Sequence, residues 1–242
     1  MPVHLINLNR DTGRLAWFSG MNAHALDVVR FSAVDGRLAD RAALAQDVVI
    51  LDKLTYNPGQ LGCTLSHIAL WRQAAAEDRI ITVAKDDTIL AANFIAARDR
   101  MLRDLPVDRG IVLWGWNFDR SVWAEIPEGI AKAVLQFDQD ELRAGIARFQ
   151  SIETAHAPVR LRHAFGTMAY TVSPAGARSF LEQCLPLSRQ FIQFDGFGIG
   201  IPNNGIDCMM NLAYPGMKAY VSVPPLAVSE NRHERSHTHR LL

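Results

Sequence analysis

Apolar positions along the chain fall into short β-branched runs separated by longer stretches where they recur every three or four residues. That alternation is expected when strands and helices follow one another. Val3 to Leu8 is the first run; Asn9-Arg10-Asp11-Thr12-Gly13 ends it, and Leu15, Trp17 and Phe18 open a helical segment. Further strands are predicted over Val28 to Val34, closed by the turn signal Asp35-Gly36, and over Val48 to Leu51. After a turn at Asn57-Pro58-Gly59, Leu61, Leu65, Ile68, Trp71 and Ala75 fall on one face of a buried-side helix. Ile80 to Ala84 is a compact apolar run followed at once by Lys85-Asp86-Asp87, then by a helix from Ala91 to Leu105 and a strand over Ile111 to Trp116.

Residues 118–160 are more polar and lack a clean period, apart from a helix around Leu142, Ile146 and Phe149, so they are expected to form an insertion or lid. Strand character resumes over Phe165 to Val172. Ser173-Pro174 then places a capping hydroxyl before a proline at the first helical position, with Ala177, Phe180, Leu181 and Cys184 on one face. A glycine-rich loop from Asp195 to Gly205, a short helix from Asp207 to Tyr214, a strand over Lys218 to Val223 and a tail carrying His233, His237 and His239 complete the chain. No internal repeat is present. The pattern predicts a single α/β domain over residues 1–242, a mixed, Rossmann-like sheet flanked by helices. Such folds bind ligands outside the carboxyl ends of their strands, where Asp86 and Asp87 fall.

Composition narrows the function. The 25 Lys and Arg balance 25 Asp and Glu, which removes the basic footprint of a nucleic-acid binder. Cys63, Cys184 and Cys208 are an odd count at wide spacing, fitting neither a disulfide framework nor a Cys-based zinc site. No apolar run approaches the ~20 residues that span a bilayer, and Asn7, Asn9, Arg10 and Asp11 interrupt any signal-peptide core. A reducing cytoplasm is the expected compartment.

Two adjacent carboxylates at a strand end can hold Mg²⁺ or Mn²⁺, which prefer oxygen ligands and are shared with substrate phosphates. The same pair also serves as an ordinary loop cap. Trp114 and Trp116 alternate on one strand and are expected to share a face, either stacking on a sugar or base or packing the core.

Gly59-Gln60-Leu61-Gly62-Cys63-Thr64-Leu65-Ser66-His67 together with Lys85-Asp86-Asp87 resembles glycosyltransferase family 25, which includes lipopolysaccharide and lipooligosaccharide galactosyl- and glucosyltransferases. The resemblance begins at Ile6-Asn7-Leu8-Asn9-Arg10 with Arg14 and runs through Phe31-Ser32-Ala33-Val34-Asp35-Gly36. It continues with Ala169-Tyr170-Thr171-Val172-Ser173, Gly176-Ala177, Gly205-Ile206-Asp207 and Val223-Pro224-Pro225-Leu226-Ala227-Val228, in the same order over nearly the whole chain.

The resemblance implies a GT-A type fold and inverting transfer of a hexose from a UDP-sugar donor to a glycan or glycolipid acceptor, with peripheral contact to the inner membrane through that acceptor. It further implies that Asp87 and Asp86 hold Mn²⁺ or Mg²⁺ on the diphosphate, with a late histidine such as His237 as a further ligand or, alternatively, part of an exposed terminus. Asn7, Asn9, Arg10, Arg14, Ser66, His67, Lys85 and Asp86 belong on the donor side. For Arg14 a solvated helix face, and for His67 a hydrogen-bonded core position, are the competing readings. Inversion needs a base for the acceptor hydroxyl proton. Asp207 is the candidate, against a helix cap, and Asp195 the second, against a turn residue.

The sequence departs from the family at two acids. Lys85 stands where the family's strand ends in Glu, and Gln60 stands where an acid precedes Leu61-Gly62-Cys63. Positive charge beside a metal site disfavours a cation and favours a bare diphosphate. A non-catalytic sugar-nucleotide or glycan-binding module is therefore a second reading, and a phosphohydrolase with an aspartyl nucleophile a poorer third.

Overall fold

A computed structural model of the chain describes residues 1–25, 27–51, 54–152, 154–194 and 199–232. Strand β1 (Val3–Asn7) leads through helix α1 (Thr12–Met21) to β2 (Val28–Ser32), and a short helix α2 (Arg41–Gln46) precedes the long helix α3 (Pro58–Ala76). The Asp40 carboxylate caps α2 by accepting from the Ala42 and Ala43 N–H groups. The apolar run Val48 to Leu51, predicted as a strand, directly follows α2 and, among the described residues, makes only one isolated bridge, Ile50 to Leu187. Confined between two helices, the run buries Val49 and Ile50, leaves Val48 and Leu51 exposed, and extends no ladder.

The next elements are β3 (Ile81–Lys85), β4 (Ile89–Leu90), α4 (Phe94–Asp104) and β5 (Arg109–Gly115). Residues 118–160, expected as an insertion or lid, contribute β6 (Val122–Glu125), β7 (Lys132–Leu135), α5 (Gln139–Gly145) and the first part of β8 (Ala157–His163). These three strands extend the central sheet at one edge. The chain continues through β9 (Ala169–Val172), α6 (Pro174–Cys184), a hairpin of β10 (Phe191–Phe194) and β11 (Ile199–Pro202), α7 (Ile206–Met210), β12 (Lys218–Val223) and β13 (Ala227–Val228).

Among the described residues, nine strands form one mixed sheet in the order β2-β1-β3-β9-β5-β12-β8-β6-β7. β1 pairs in parallel with both β2 and β3, while β9 runs antiparallel between β3 and β5. Side chains alternate between the two faces, as the two-residue period of a strand requires. Ile81, Val83, Ile111 and Leu113 face the core under α3 and α6, whereas Val3, Leu5, Val112 and Trp114 face the core under α1 and α4.

Capping fixes where the helices start. Asn57 and Gln60 form a reciprocal capping box at the head of α3, with Pro58 in the first turn. Ser173 caps α6 through the Gly176 N–H, as the Ser-Pro signal predicts. Helix α3 is buried beyond one stripe: Thr64, Ser66, His67 and Leu70 are as inaccessible as Leu61, Ile68 and Trp71, because the turn after β2 and α6 flank it. Trp71 stacks on Phe180 of α6 with ring centroids 4.8 Å apart.

Trp114 and Trp116 do not share a face. Trp114 packs edge-on to Phe94 and Trp116 packs against Phe118 in the opposite core, both fully buried. A register irregularity between Leu113 and Gly115 switches the side, where Gly115 admits the Ala227 carbonyl so closely that a Cβ would lie 2.3 Å from it. Both tryptophans are core, which leaves neither for stacking on a ligand.

Candidate active site

The carboxyl ends of β1 and β3 lie side by side, with Ile6 paired to Lys85, and this brings Asn7 beside the Lys85-Asp86-Asp87 turn. Asp86 is buried, and both its oxygens are engaged. The Asn7 amide donates to Oδ2 at 2.8 Å, and the Arg14 guanidinium donates to Oδ1 through Nε at 2.8 Å and through a second nitrogen. Asn7 is itself set by accepting from Arg30 Nε and donating to the Asp11 carbonyl. Asp87 Oδ2 lies 3.6 Å from Arg14 and 4.0 Å from Lys85 Nζ, while its Oδ1 is buried without a hydrogen-bond partner among the described residues.

Electrostatics follow from this crowding of opposite charges. Burial pushes the Asp87 carboxyl up, but Lys85 and Arg14 more than offset it and hold it below the usual carboxylate range. Asp87 in turn raises Lys85, against the effect of burial. Both groups are therefore charged at neutral pH.

A cavity of about 320 Å³ opens beside this cluster, walled by Val34, Gly36, Pro58, Gly62, Ser66 and Lys85 among others. Its size is in the range of small-molecule sites, ~300–1,000 Å³. Two glycines make its wall possible. A Cβ on Gly62 would stand 2.4 Å from the Val34 carbonyl, and one on Gly36 would stand 1.9 Å from the Pro58 carbonyl, so turn and helix meet backbone to backbone. Ser66 fastens the contact by accepting from the Val34 N–H at 2.9 Å and donating to the Gly62 carbonyl at 2.7 Å. At the rim, Asp35 accepts from Arg37 and pairs with Arg10; the Arg37 hydrogen bond chiefly holds its carboxyl down to about 2.

Cys63, Lys85 and Asp87 line this cavity and also a second one of about 810 Å³. The larger space is walled by Trp123, Phe165 and Phe194, whose rings lie 5.3 to 6.3 Å apart, and by the polar groups Asn117, Gln136 and Asn204. Asp207 projects into it from the first turn of α7. Its Oδ2 accepts from the Gly166 N–H at 2.9 Å, and Oδ1 accepts no hydrogen bond among the described residues. Gly166 has φ +92°, and a Cβ there would meet Asn117 at 2.5 Å, so glycine alone suits the position. Asn211 braces the helix by donating to the Asp207 and Ala164 carbonyls.

The expected site residues are thus unequally placed. Arg10, Arg14, Ser66, Lys85, Asp86 and Asp87 line the smaller cavity and Asp207 the larger, while Asn7 acts from behind by holding Asp86. Asn9 is an exposed turn residue that lines neither cavity, because the chain turns outward after β1. His67 also lines neither. It is fully buried, with Nδ1 at 2.9 Å from the Tyr170 hydroxyl, which also accepts from Trp71 Nε1, so it occupies the hydrogen-bonded core position. Asp195, His233, His237 and His239 lie outside the described residues. Asp35, Arg37 and Cys63 were not singled out in the sequence, although Asp35 and Cys63 sit inside the two phrases that carry the family resemblance.

The Asp86-Asp87 pair does not suit a divalent cation. Both Asp86 oxygens are committed, and Asp87 Oδ2 already faces two cationic groups. Like unit charges about 4 Å apart repel by about 4 kcal/mol at a near-surface dielectric, and a dication doubles that. Among the described residues no three His, Cys, Asp or Glu side chains converge to hold a metal.

The comparisons agree with the motifs. No curated protein matches the sequence. A family model described as glycosyltransferase family 25 (LPS biosynthesis protein) matches residues 1–196, a span that holds the whole Asn7–Arg14–Lys85–Asp87 cluster and stops short of Asp207. With that match over most of its length, the chain belongs to glycosyltransferase family 25, a glycosyltransferase of lipopolysaccharide biosynthesis.

Proposed function

We propose that the protein transfers a hexose, galactose or glucose, from a UDP-sugar to a hydroxyl of a lipopolysaccharide or lipooligosaccharide acceptor, with inversion, on a GT-A-like fold. The observation that carries this reading is the continuity of the two cavities at Lys85 and Asp87. The nucleoside takes the smaller space between the turn after β2 and the head of α3. Its diphosphate then lies beside Lys85, and the sugar faces the larger space where the acceptor enters.

Asp207 serves as the base. With Oδ2 held by the Gly166 N–H, Oδ1 is left to take the proton of the acceptor hydroxyl. The acceptor oxygen bonds to the anomeric carbon as the bond to the diphosphate breaks, and that electron pair leaves with the phosphate. Developing negative charge on the leaving group falls beside Lys85 and Arg14, where fixed cations need no reorganisation to stabilise it. Positioning in the two cavities supplies much of the rest. Asp195, between Phe194 and Gly196, remains the alternative base, against the reading of a turn residue in a glycine-rich loop.

The reaction is placed in the cytoplasm, with any hold on the inner membrane made through the acceptor; no helix among the described residues is long and apolar enough to cross a membrane. The test is UDP release from UDP-galactose and UDP-glucose with a lipooligosaccharide acceptor, followed by NMR of the product's anomeric proton. Release with inverted configuration supports the reading, and retained configuration contradicts it. UDP binding without release from any donor selects the second reading, a non-catalytic sugar-nucleotide-binding module, which Lys85 in place of an acid favours.

A further inference from the structure

We propose that this site binds its nucleoside diphosphate without a divalent metal, the Lys85 ammonium supplying the counter-charge that a cation would otherwise bring. The inference rests on the donor reading of the smaller cavity.

Three observations carry it. First, Lys85 Nζ is half-buried where the two cavities meet, yet forms no hydrogen bond among the described residues; its one contact with opposite charge is Asp87 at 4.0 Å. Three N–H donors thus remain for a ligand that passes between the cavities. Second, Asp86 is satisfied internally, and Asp87 faces the cationic Arg14 and Lys85. Asn7 and Arg14 take both Asp86 oxygens, and Arg14 spans from Asp86 to Asp87. A metal would have to displace a buried amide and a guanidinium to reach Asp86. Third, the charged residues around the smaller cavity are Arg10, Arg14, Arg37 and Lys85 against Asp35, Asp86 and Asp87, a surplus of one positive charge that suits an anion and opposes a cation.

Replacing an acid by lysine at a single position adds two positive charges, the same change that a divalent ion makes. Lys85 therefore acts as a counter-ion carried on a strand end whose backbone is pinned by the Met168 carbonyl accepting from the Lys85 N–H at 2.9 Å. An ammonium is a compact point charge with rotatable donors, suited to a phosphate that shifts as its bond to the sugar breaks.

The experiment is titration calorimetry of the full chain with UDP and with uridine, in EDTA and in Mn²⁺, repeated on Lys85→Ala, Lys85→Arg and Lys85→Glu. The wild-type protein is expected to bind UDP equally, within about twofold, in EDTA and in Mn²⁺. Lys85→Ala weakens UDP at least about tenfold and leaves uridine unchanged, Lys85→Arg restores most of the loss, and Lys85→Glu makes UDP binding respond to Mn²⁺. Wild-type binding that is lost in EDTA and restored by Mn²⁺ overturns the inference while leaving the donor reading standing. An unchanged UDP affinity in Lys85→Ala also overturns it. Absence of UDP and uridine binding under every condition removes the donor reading and the inference together.

Discussion

The Asn7 side-chain amide donates to Asp86 Oδ2 across 2.8 Å, joining the carboxyl ends of two parallel strands at the point where the site begins. Asn7 is 1 % exposed and Asp86 8 %, so water cannot replace the bond if it is lost. Asn7→Ala is expected to cost about 1–3 kcal/mol, the penalty for leaving a buried acceptor short of its donor. Urea unfolding measures it, and an unchanged midpoint would show that the bond contributes nothing to stability.

Asp207→Asn separates chemistry from structure. The amide oxygen still accepts from Gly166, so the melting temperature should move by no more than a few degrees, while loss of the base lowers turnover by about 10²–10⁴-fold. UDP affinity should not change, since Asp207 lines only the larger cavity. Turnover near the wild-type rate would remove Asp207 from the mechanism.

Gly62→Ala tests the wall of the smaller cavity. The new methyl would overlap the Val34 carbonyl at 2.4 Å and the Gly36 nitrogen at 2.7 Å, both backbone atoms that cannot rotate away. Forced separation of turn and helix should cost about 1–3 kcal/mol. The same displacement should weaken UDP binding, whereas Gly13→Ala, with open space around it, serves as a neutral control. Equal UDP affinity in the two variants would place the nucleotide elsewhere.

His67 sets an acid limit on stability. Burial, helped by Lys85, lowers its pKa to about 3 from an ordinary value near 6.5. The unfolded chain binds the proton first, so this contribution is complete above about pH 6.5 and is lost as the pH falls towards 3. One such group changes stability by up to about 1.4 kcal/mol per pH unit within that window. His67→Gln should flatten the dependence between pH 6.5 and 4, as read by urea midpoints at each pH. An unaltered slope would mean that another group governs acid unfolding.

Much of the fold was legible because strands, caps and turns are local. The apolar runs at Val3, Val28, Ile80 and Ile111, the Ser173-Pro174 cap and the Asp86-Asp87 strand end all follow from short stretches whose period or hydrogen bonding decides the structure. What escaped depends on distant partners. Trp114 and Trp116 part company because Ala227 crowds Gly115, and although β6 and β7 form a local pair, they join the sheet only through β8, which pairs with the distant β12. In the site, the acidic pair was visible, but the pairing of Asp86 with Arg14 joins residues 72 positions apart. His67 matched a motif and was still drawn into the core, since Tyr170 offers it a hydroxyl there.

The most direct measurement is a crystal structure of the protein with UDP, grown in EDTA. The account predicts uridine in the cavity walled by Gly36, Pro58 and Ser66, with the diphosphate hydrogen-bonded to Lys85 Nζ at the opening to the larger cavity. A diphosphate bound away from Lys85, or uridine outside that cavity, would contradict it.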